Sequence, residues 1–480
     1  MALQIFNSLG RELEEFIPLT KGRVHIYVCG PTVYDYPHIG HAKSYISFDV
    51  VVRYFRYLGY KVRYVQNITD VGHLLDDGED RILKGAKREK LEPMELVERY
   101  TRAYFEAMDA LNVMRPDISP HAAAHIPEQI EWVKTLLEKG YAYEVNGSVY
   151  FDISKWPDYG KLSGRNVDEQ QAGARLDVNT EKKHPADFAL WKRAEPGHIM
   201  QWKSPWGMGY PGWHLECSTM STKYLGDTFD IHGGGLDNQF PHHECEIAQA
   251  EAATGKPFAR YWMHNNMVLV DKAKMSKSLG NFTTLEDAFD RFTGSQIRFF
   301  ILQTHYRSPV DFTDEAIKAA AQGLGKLENT VRSLNEALAV AGSGEMKPKL
   351  QERVHEFRQA FEEEMNNDFN TPGAIGVLFD FSRDINKWMA HEDLSRETLK
   401  FVKSSFCDLA DTVLGILDAE QSVSRQMQAA PFIEMLITLR ESLRSQNNWE
   451  LADWIRDKIQ ENGIELQDSK DGTRWRVKNI

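Results

Sequence analysis

Two hydrophobic periods alternate along this chain, and each change of period marks an element. Val24–Val28 is a short run of β-branched and aromatic residues that suits a buried strand. From Ala42 to Leu58, Ile46, Val50, Tyr54 and Leu58 recur every fourth position and mark one face of a helix. Lys61–Ile68 is a second strand-like run. Cys29–His41 is therefore the strand-to-helix crossover of an α/β sheet, the place where such sheets bind nucleotides. Further on, charge-dense Asp76–Lys90 reads as a solvated loop and helix, and Met94–Leu111 as an amphipathic helix. His121–Lys139 predicts another helix. Alternation over Tyr141–Phe151 predicts a hairpin turning at Asn146-Gly147.

Between Asp152 and Gly212 the composition shifts to Gly, Pro, Trp and charge, so residues 120–210 are expected as an insertion that splits the fold. The sheet is expected to resume around Trp213–His232, with Phe229–Gly235 as a strand running into a glycine loop and Pro241 opening a helix. Met263–Val270 reads as a last strand, and helical patterns dominate from Leu285. Ala341–Pro348 and Gln421–Ala430 are polar, linker-like breaks. The last stretch carries an amphipathic hairpin and a short tail, Gly463–Arg476.

A chain of 480 residues predicts about three domains, and 42% apolar residues suffice for packed cores. No apolar run reaches the roughly 18 residues of a membrane span, and Met1–Gly10 lacks the basic and apolar regions of a signal peptide. A cytosolic protein is expected. Four cysteines exclude a disulfide scaffold. In a reducing compartment, clustered thiols point to metal or chemistry. The net charge of −13 argues against indiscriminate nucleic-acid binding but leaves room for a selective RNA partner held by a local basic patch.

Three constellations carry chemistry. In the crossover, His38-Ile39-Gly40-His41 places two imidazoles at a helix N-terminus, where free backbone N–H groups also face a triphosphate. Gly40 removes a side chain where a nucleotide approaches closely. Asn67-Ile68-Thr69-Asp70 ends the second strand, so Thr69 and Asp70 either point into the ligand crevice or cap the next segment. In the second constellation, a helix from Pro241 would put His242 and Glu246 on one face at i and i+4. With Cys29 and Cys217 they offer two thiolates, an imidazole and a carboxylate, a set suited to Zn²⁺. The alternative is that both cysteines are inert core residues. Cys245 faces away from that pair, and Cys407 is expected in a helical core. The third constellation, Lys274-Met275-Ser276-Lys277-Ser278, is either a solvated loop or a mobile cationic one that closes over a pyrophosphate leaving group.

In order and spacing these constellations resemble the class I aminoacyl-tRNA synthetases, and among them the cysteinyl-tRNA synthetase family essentially end to end. The resemblance extends through Tyr27–Asp35, Gly212–Ser218, Phe229–Ala248, Met275–Phe282, Asp368-Phe369-Asn370-Thr371-Pro372, Ala452–Asp457 and Gly472–Arg476. It implies an α/β fold: a Rossmann catalytic domain at 1–265 with an insertion at 120–210, and a stem at 266–325 carrying the lysine loop. A helical bundle at 326–425 and an anticodon-binding domain at 426–480 would follow. It implies zinc on Cys29, Cys217, His242 and Glu246. ATP would lie on Pro31, Thr32, His38, Gly40, His41 and Lys277, and catalysis would rest on His38, His41, Lys274 and Lys277. The amino-acid pocket would include Thr69 and Trp213. Cys245, where the family often has asparagine, and the Val71–Asp80 loop depart from the family pattern.

The implied reaction joins L-cysteine to AMP at the expense of ATP, with Mg²⁺ on the phosphates, and passes the adenylate to the terminal ribose of tRNA(Cys). Cysteine and serine differ by one atom, which hydrophobic pockets discriminate poorly, whereas zinc binds a thiolate strongly and a hydroxyl poorly. A monomer is expected, with tRNA read by the tail. There, Trp449, Trp454 and Trp475 are available for stacking and Arg440, Arg444, Arg456, Arg474 and Arg476 for phosphates; at least one of the tryptophans is expected in the core of that small domain. Two other functions fit parts of the pattern: a ligase that passes the cysteinyl adenylate to an amino-sugar, and a non-catalytic synthetase-like RNA binder.

Overall fold

In the computed structural model, which describes residues 2–72, 80–165, 181–195, 198–270, 272–275, 282–417, 419–461, 464–469 and 472–477, Arg23–Val28 forms a strand (β1) and Ile39–Tyr57 a helix (α1). Val24, Ile26, Tyr27 and Val28 are fully buried, as expected of a parallel strand covered on both faces. On α1 the stripe Ile46, Val50 and Tyr54 is buried, while Leu58 is the C-cap residue at its exposed end. Lys61–Gln66 (β2) lies parallel to β1. Helices Arg81–Glu89, capped by Asp80, and Pro93–Ala110 follow.

The insertion is a five-stranded antiparallel sheet within 142–211, packed on helix Ile126–Glu138. Its first hairpin turns at Asn146 (φ 51°) and Gly147 (φ 84°), the paired left-handed residues of a tight hairpin turn. Pro127 stands in the first turn of Ile126–Glu138, so the predicted single helix over 121–139 begins instead as a separate short turn, Ala122–His125.

Two expectations after the insertion need correction. Trp213–Leu225 is a helix (α2), not a return to the sheet. Leu215, Glu216, Cys217, Ser218, Thr219, Met220 and Ser221 are all buried, so the helix carries no amphipathic period to read. Strand Phe229–Gly235 (β3) comes next. Pro241 opens a helical path, as expected: it follows extended Phe240 (φ −142°, ψ 133°), and the turn over 241–243 runs without a break into the helix (α3) Glu244–Thr254. The expected last strand divides: Ala259–Asn265 (β4) stays in the main sheet, whereas Val268–Val270 pairs with Ala273–Lys274 and Val310–Asp311 in a small sheet of its own.

Among the described residues the main sheet has the order β4-β3-β1-β2, all parallel. The chain leaves β1 toward β2 on one side and returns on the other through β3. The switch point therefore lies between β1 and β3, and a ligand crevice is expected at their carboxyl ends. Helices Asp314–Val340, Pro348–Asn366, Thr371–His391 and Arg396–Cys407 follow, joined in part through aromatic contacts such as Phe357 on Phe381 at 4.8 Å. No helix among the described residues is long and apolar enough to cross a membrane.

The chain divides into two compact units, Met1–Ile416 and Leu417–Ile480. The second consists of helices Ala419–Ser445 and Trp449–Glu461 with a β-hairpin, Ile464–Ser469 and Gly472–Val477, around Ile433, Ile437, Ile455, Ile459 and Leu466. The polar stretch 421–430, expected as a break, belongs to the first of these helices. Arg440, expected among the phosphate contacts, is buried. Trp449 and Trp454 are 52% and 57% exposed, so neither is a core residue, and the Arg444 guanidinium lies 5.7 Å from the Trp449 ring. The side chains of Arg474, Trp475 and Arg476 lie outside the described residues.

Candidate active site

A crevice of about 570 Å³ opens where the topology requires it, lined by residues that follow β1, enter α1 and flank β3. His38 is the N-cap of α1, with extended backbone (φ −122°, ψ 172°). Its Nδ1 accepts from Gly40 N at 3.1 Å, and His41 Nδ1 accepts from His38 N at 3.2 Å. A backbone N–H can only donate, so each Nδ1 is the bare nitrogen and each neutral ring carries its proton on Nε2. The rings stack at 3.8 Å. Burial, reinforced by neighbouring His38, holds the His41 pKa well below the usual histidine range. A β-carbon on Gly40 would stand 2.9 Å from the His38 ring.

Pro31 and Thr32 line the same crevice. Thr69 clamps their loop: Thr69 N donates to Pro31 O at 3.0 Å, and Val33 N donates to Thr69 O at 3.2 Å. Gly30 N donates to Asn67 Oδ1 at 2.8 Å, and a β-carbon on Gly30 would sit 1.5 Å from the Asn67 carbonyl oxygen. Backbone cannot yield as a flexible side chain does. Gly30→Ala should therefore destabilise the fold by about 3 kcal/mol or more, at or beyond the usual range of overpacking; urea unfolding within 1 kcal/mol of the parent would refute this contact.

The four donors Cys29, Cys217, His242 and Glu246 are brought together, buried, with ligand atoms all within 4.8 Å of one another. Cys29 follows β1, Cys217 lies on α2, His242 is in the turn that leads into α3, and Glu246 is in the first turn of α3. The two sulfurs are 3.9 Å apart, and His242 Nε2 is 2.9 Å from Glu246 Oε1. The i, i+4 pair forms as expected, because turn and helix are continuous through His243. Burial opposes ionisation of Cys217, yet hydrogen bonds from Cys29 and His242 bring its pKa down to about 6. Burial likewise opposes charge on His242, but Glu246 and Cys217 raise its pKa to about 10. Trp213 stacks on the His242 ring at 4.4 Å.

Behind this set lies a histidine array that sequence reasoning missed. His232 Nε2 meets Glu246 Oε2 at 2.7 Å, and His243 Nε2 meets Cys29 Sγ at 3.2 Å. His243 Nδ1 continues to His264 at 2.8 Å, and His264 to Ser8 Oγ at 2.8 Å. Cys29, His232, His243 and Glu246 form a second convergent donor set. The available signal was His232 and His264 toward the carboxyl ends of two strand-like runs, with His243 inside the His242–Glu246 cluster. Glu216 was also missed. Its Oε1 accepts from Thr69 Oγ1 at 2.6 Å while Asn67 Nδ2 donates to the same hydroxyl at 3.0 Å. Burial, then the adjacent Cys217, pushes the Glu216 carboxyl well above the usual range.

The two readings of the strand end divide between its residues. Thr69 lines the crevice, whereas Asp70 caps the turn at Ala122, accepting from Ala123 N at 2.7 Å. Cys245 turns away, 3.3 Å from Tyr159 Oη, in the core shared with the insertion. Cys407 is half-buried at a helix end. The backbone of Lys274 pairs with Leu269; its side chain, and all of Lys277, lie outside the described residues.

Two family descriptions match the chain: the class I (C) tRNA synthetase catalytic domain over residues 15–322 and the DALR domain over 360–418. A cysteine–tRNA ligase of Chlorobium chlorochromatii is 54% identical, with both chains covered in full. One from Thermus thermophilus is 48% identical over 99% of this chain and 100% of its own. Among solved structures, methionyl-tRNA synthetase of Mycobacterium tuberculosis in complex with methionyl-adenylate superposes with a TM-score of 0.59 at 16% identity, covering 82% of this chain and 91% of that one. The LeuRS–tRNA–LeuAMS complex of Agrobacterium radiobacter gives 0.62 at 11% identity, covering 83% and 84%. At these identities the structural likeness speaks for the fold.

Proposed function

The chain belongs to the cysteine–tRNA ligases, enzymes that form an aminoacyl-tRNA, and from that membership we propose which of its residues hold each substrate. The carrying observation is the convergence of Cys29, Cys217, His242 and Glu246 in the crevice region that also holds His38 and His41. Two thiols, an imidazole and a carboxylate, all buried, fit Zn²⁺ by donor chemistry. When bound, the ion supplies a position for the substrate thiolate that serine's hydroxyl fills poorly.

Around it, Trp213 closes on His242, and Thr69 is fixed by Asn67 and Glu216. With its proton committed to Glu216, the Thr69 hydroxyl keeps a lone pair to accept from a substrate ammonium. Nε2–H groups of His38 and His41 receive the phosphates of ATP-Mg²⁺ over Pro31, Thr32 and Gly40. The cysteine carboxylate is already ionised and attacks the α-phosphate without a base. Catalysis is then positioning, plus stabilisation of departing pyrophosphate by His38, His41, Lys274 and Lys277. The adenylate passes to the 3′-terminal ribose of tRNA(Cys). We propose that the chain acts as a monomer. The four unpaired cysteines fit a reducing cytoplasm. The amino-sugar ligase and the non-catalytic binder draw no support from the full-length relatives.

Exposed Trp449 and Trp454, with Arg444 beside the first, support a surface on which unstacked anticodon bases stack. The test is cysteine-dependent ATP–pyrophosphate exchange followed by charging of total tRNA. The parent should do both. Trp449→Ala with Trp454→Ala should leave exchange intact and raise the KM for tRNA about tenfold or more, given about 1–3 kcal/mol per stacked base. Exchange without charging in the parent would overturn the tRNA reading, and charging untouched by the double variant would remove these tryptophans from it.

A further inference from the structure

We propose that Asp368, which does not line the crevice, is a positioning residue for adenylate formation: it anchors the 305–308 turn, and that turn holds both α1 and the 265–268 wall in place. Asp368 is 2% exposed. Its Oδ1 accepts from Phe6 N at 2.9 Å and Tyr306 Oη at 2.7 Å, and its Oδ2 accepts from Arg307 Nε at 2.6 Å. Its carbonyl oxygen accepts from His305 Nε2 at 3.0 Å. Three consecutive side chains of the turn thus converge on one residue. Asp368 and Phe369 both adopt left-handed backbone, φ 55° and 54°. Two adjacent residues with β-carbons stay there only when their surroundings over-determine them. Phe369 is buried, and Thr371 Oγ1 ties the segment to Leu302 O at 2.7 Å.

The other side of the turn faces the crevice walls. Asn266 N donates to Tyr306 O and Asn266 Nδ2 to Arg307 O, each at 2.9 Å, and Val310 N donates to Met267 O at 3.3 Å. Asn265, Asn266, Met267 and Val268 line the crevice. Lys43 Nζ donates to Ser308 O at 2.7 Å. Lys43 is buried and stands two residues beyond His41 in α1. One carboxylate therefore ties the wall after β4 to the entrance of α1, with no atom of its own in the crevice. Small displacements of such walls cost rate out of proportion to their size, because the reacting groups must be held in a near-attack geometry.

The inference rests on the ATP seat proposed above. In Asp368→Asn the oxygen can still accept from Phe6 and Tyr306, while the amide NH₂ opposes Arg307. Exchange rates normalised to titrated active sites should show kcat/KM for ATP falling about 10- to 100-fold. Calorimetric cysteine affinity should stay within about twofold. Lys43→Met should show the same split, and the double variant should lose less than the product of the singles, as for residues acting through one element. If Asp368→Asn does not fold, Tyr306→Phe, which removes one donor, carries the same test with a smaller loss. Normalised kinetics equal to the parent, or equal losses for ATP and cysteine, would overturn the proposal and leave Asp368 a stabilising residue only. A parent protein without cysteine-dependent exchange would instead overturn the functional reading.

Discussion

Cys217→Ser should reduce cysteine-dependent pyrophosphate exchange by on the order of 10³-fold or more and collapse the preference for cysteine over serine. A site built around one specific contact discriminates by about 10⁴–10⁵, and removing a ligand that builds the contact should forfeit most of that. The substitution is nearly isosteric, and Cys217 sits in the buried stretch 215–221 of α2, so the fold has little to adjust. What changes is charge: the neighbours that bring the thiol to a pKa of about 6 leave a hydroxyl protonated. Zinc per chain should fall in parallel, read by metal analysis on the purified protein. Exchange lost with zinc retained would move the ion to the second donor set, Cys29, His232, His243 and Glu246. A metal-free variant as active as the parent would end the assignment.

Why some of this was readable in the residues, and some not, follows from the range of the interactions. The crossover at Cys29–His41 is local: a strand of known composition, a capping pair, and a helix whose apolar stripe repeats every fourth residue. The His242/Glu246 pair was legible because i, i+4 proximity needs only one continuous helical path, and that path begins right after extended Phe240. Asn146-Gly147 is a turn signal that specifies its own backbone. By contrast residues 215–221 of α2 are all buried, and a stretch with no exposed position has no polar face to reveal it. Gln421–Ala430 read as a break from its polarity, although glutamine, methionine, alanine and arginine favour helix as strongly as polarity disfavours burial. His232, His243 and His264 meet because β3 lies beside β4 in one register, with Gly234 opposite His264. No local pattern encodes a meeting set by register.

His41→Asn should slow exchange by about 10²–10³ at saturating substrates, the usual loss of one preorganised donor to a developing charge, while cysteine affinity stays unchanged. Asparagine keeps an acceptor near the His38 N–H, so the helix start is preserved, and removes the Nε2–H assigned to the phosphates. The same geometry fixes a pH dependence. Protonating His41 would put a second proton against the His38 N–H, and burial together with His38 already keeps the ring neutral. The folded pKa is thus below the unfolded value of about 6.5, and in the window between them the unfolded chain binds more protons. The stability that His41 contributes is therefore complete above about pH 6.5 and is lost as pH falls through its folded value. Urea midpoints measured from pH 7.5 down to 5 should fall less steeply in His41→Asn than in the parent, the difference isolating this ring from the other histidines. Parallel curves would mean His41 is not held neutral by the fold, and an unchanged exchange rate would mean its Nε2–H does not meet the phosphates.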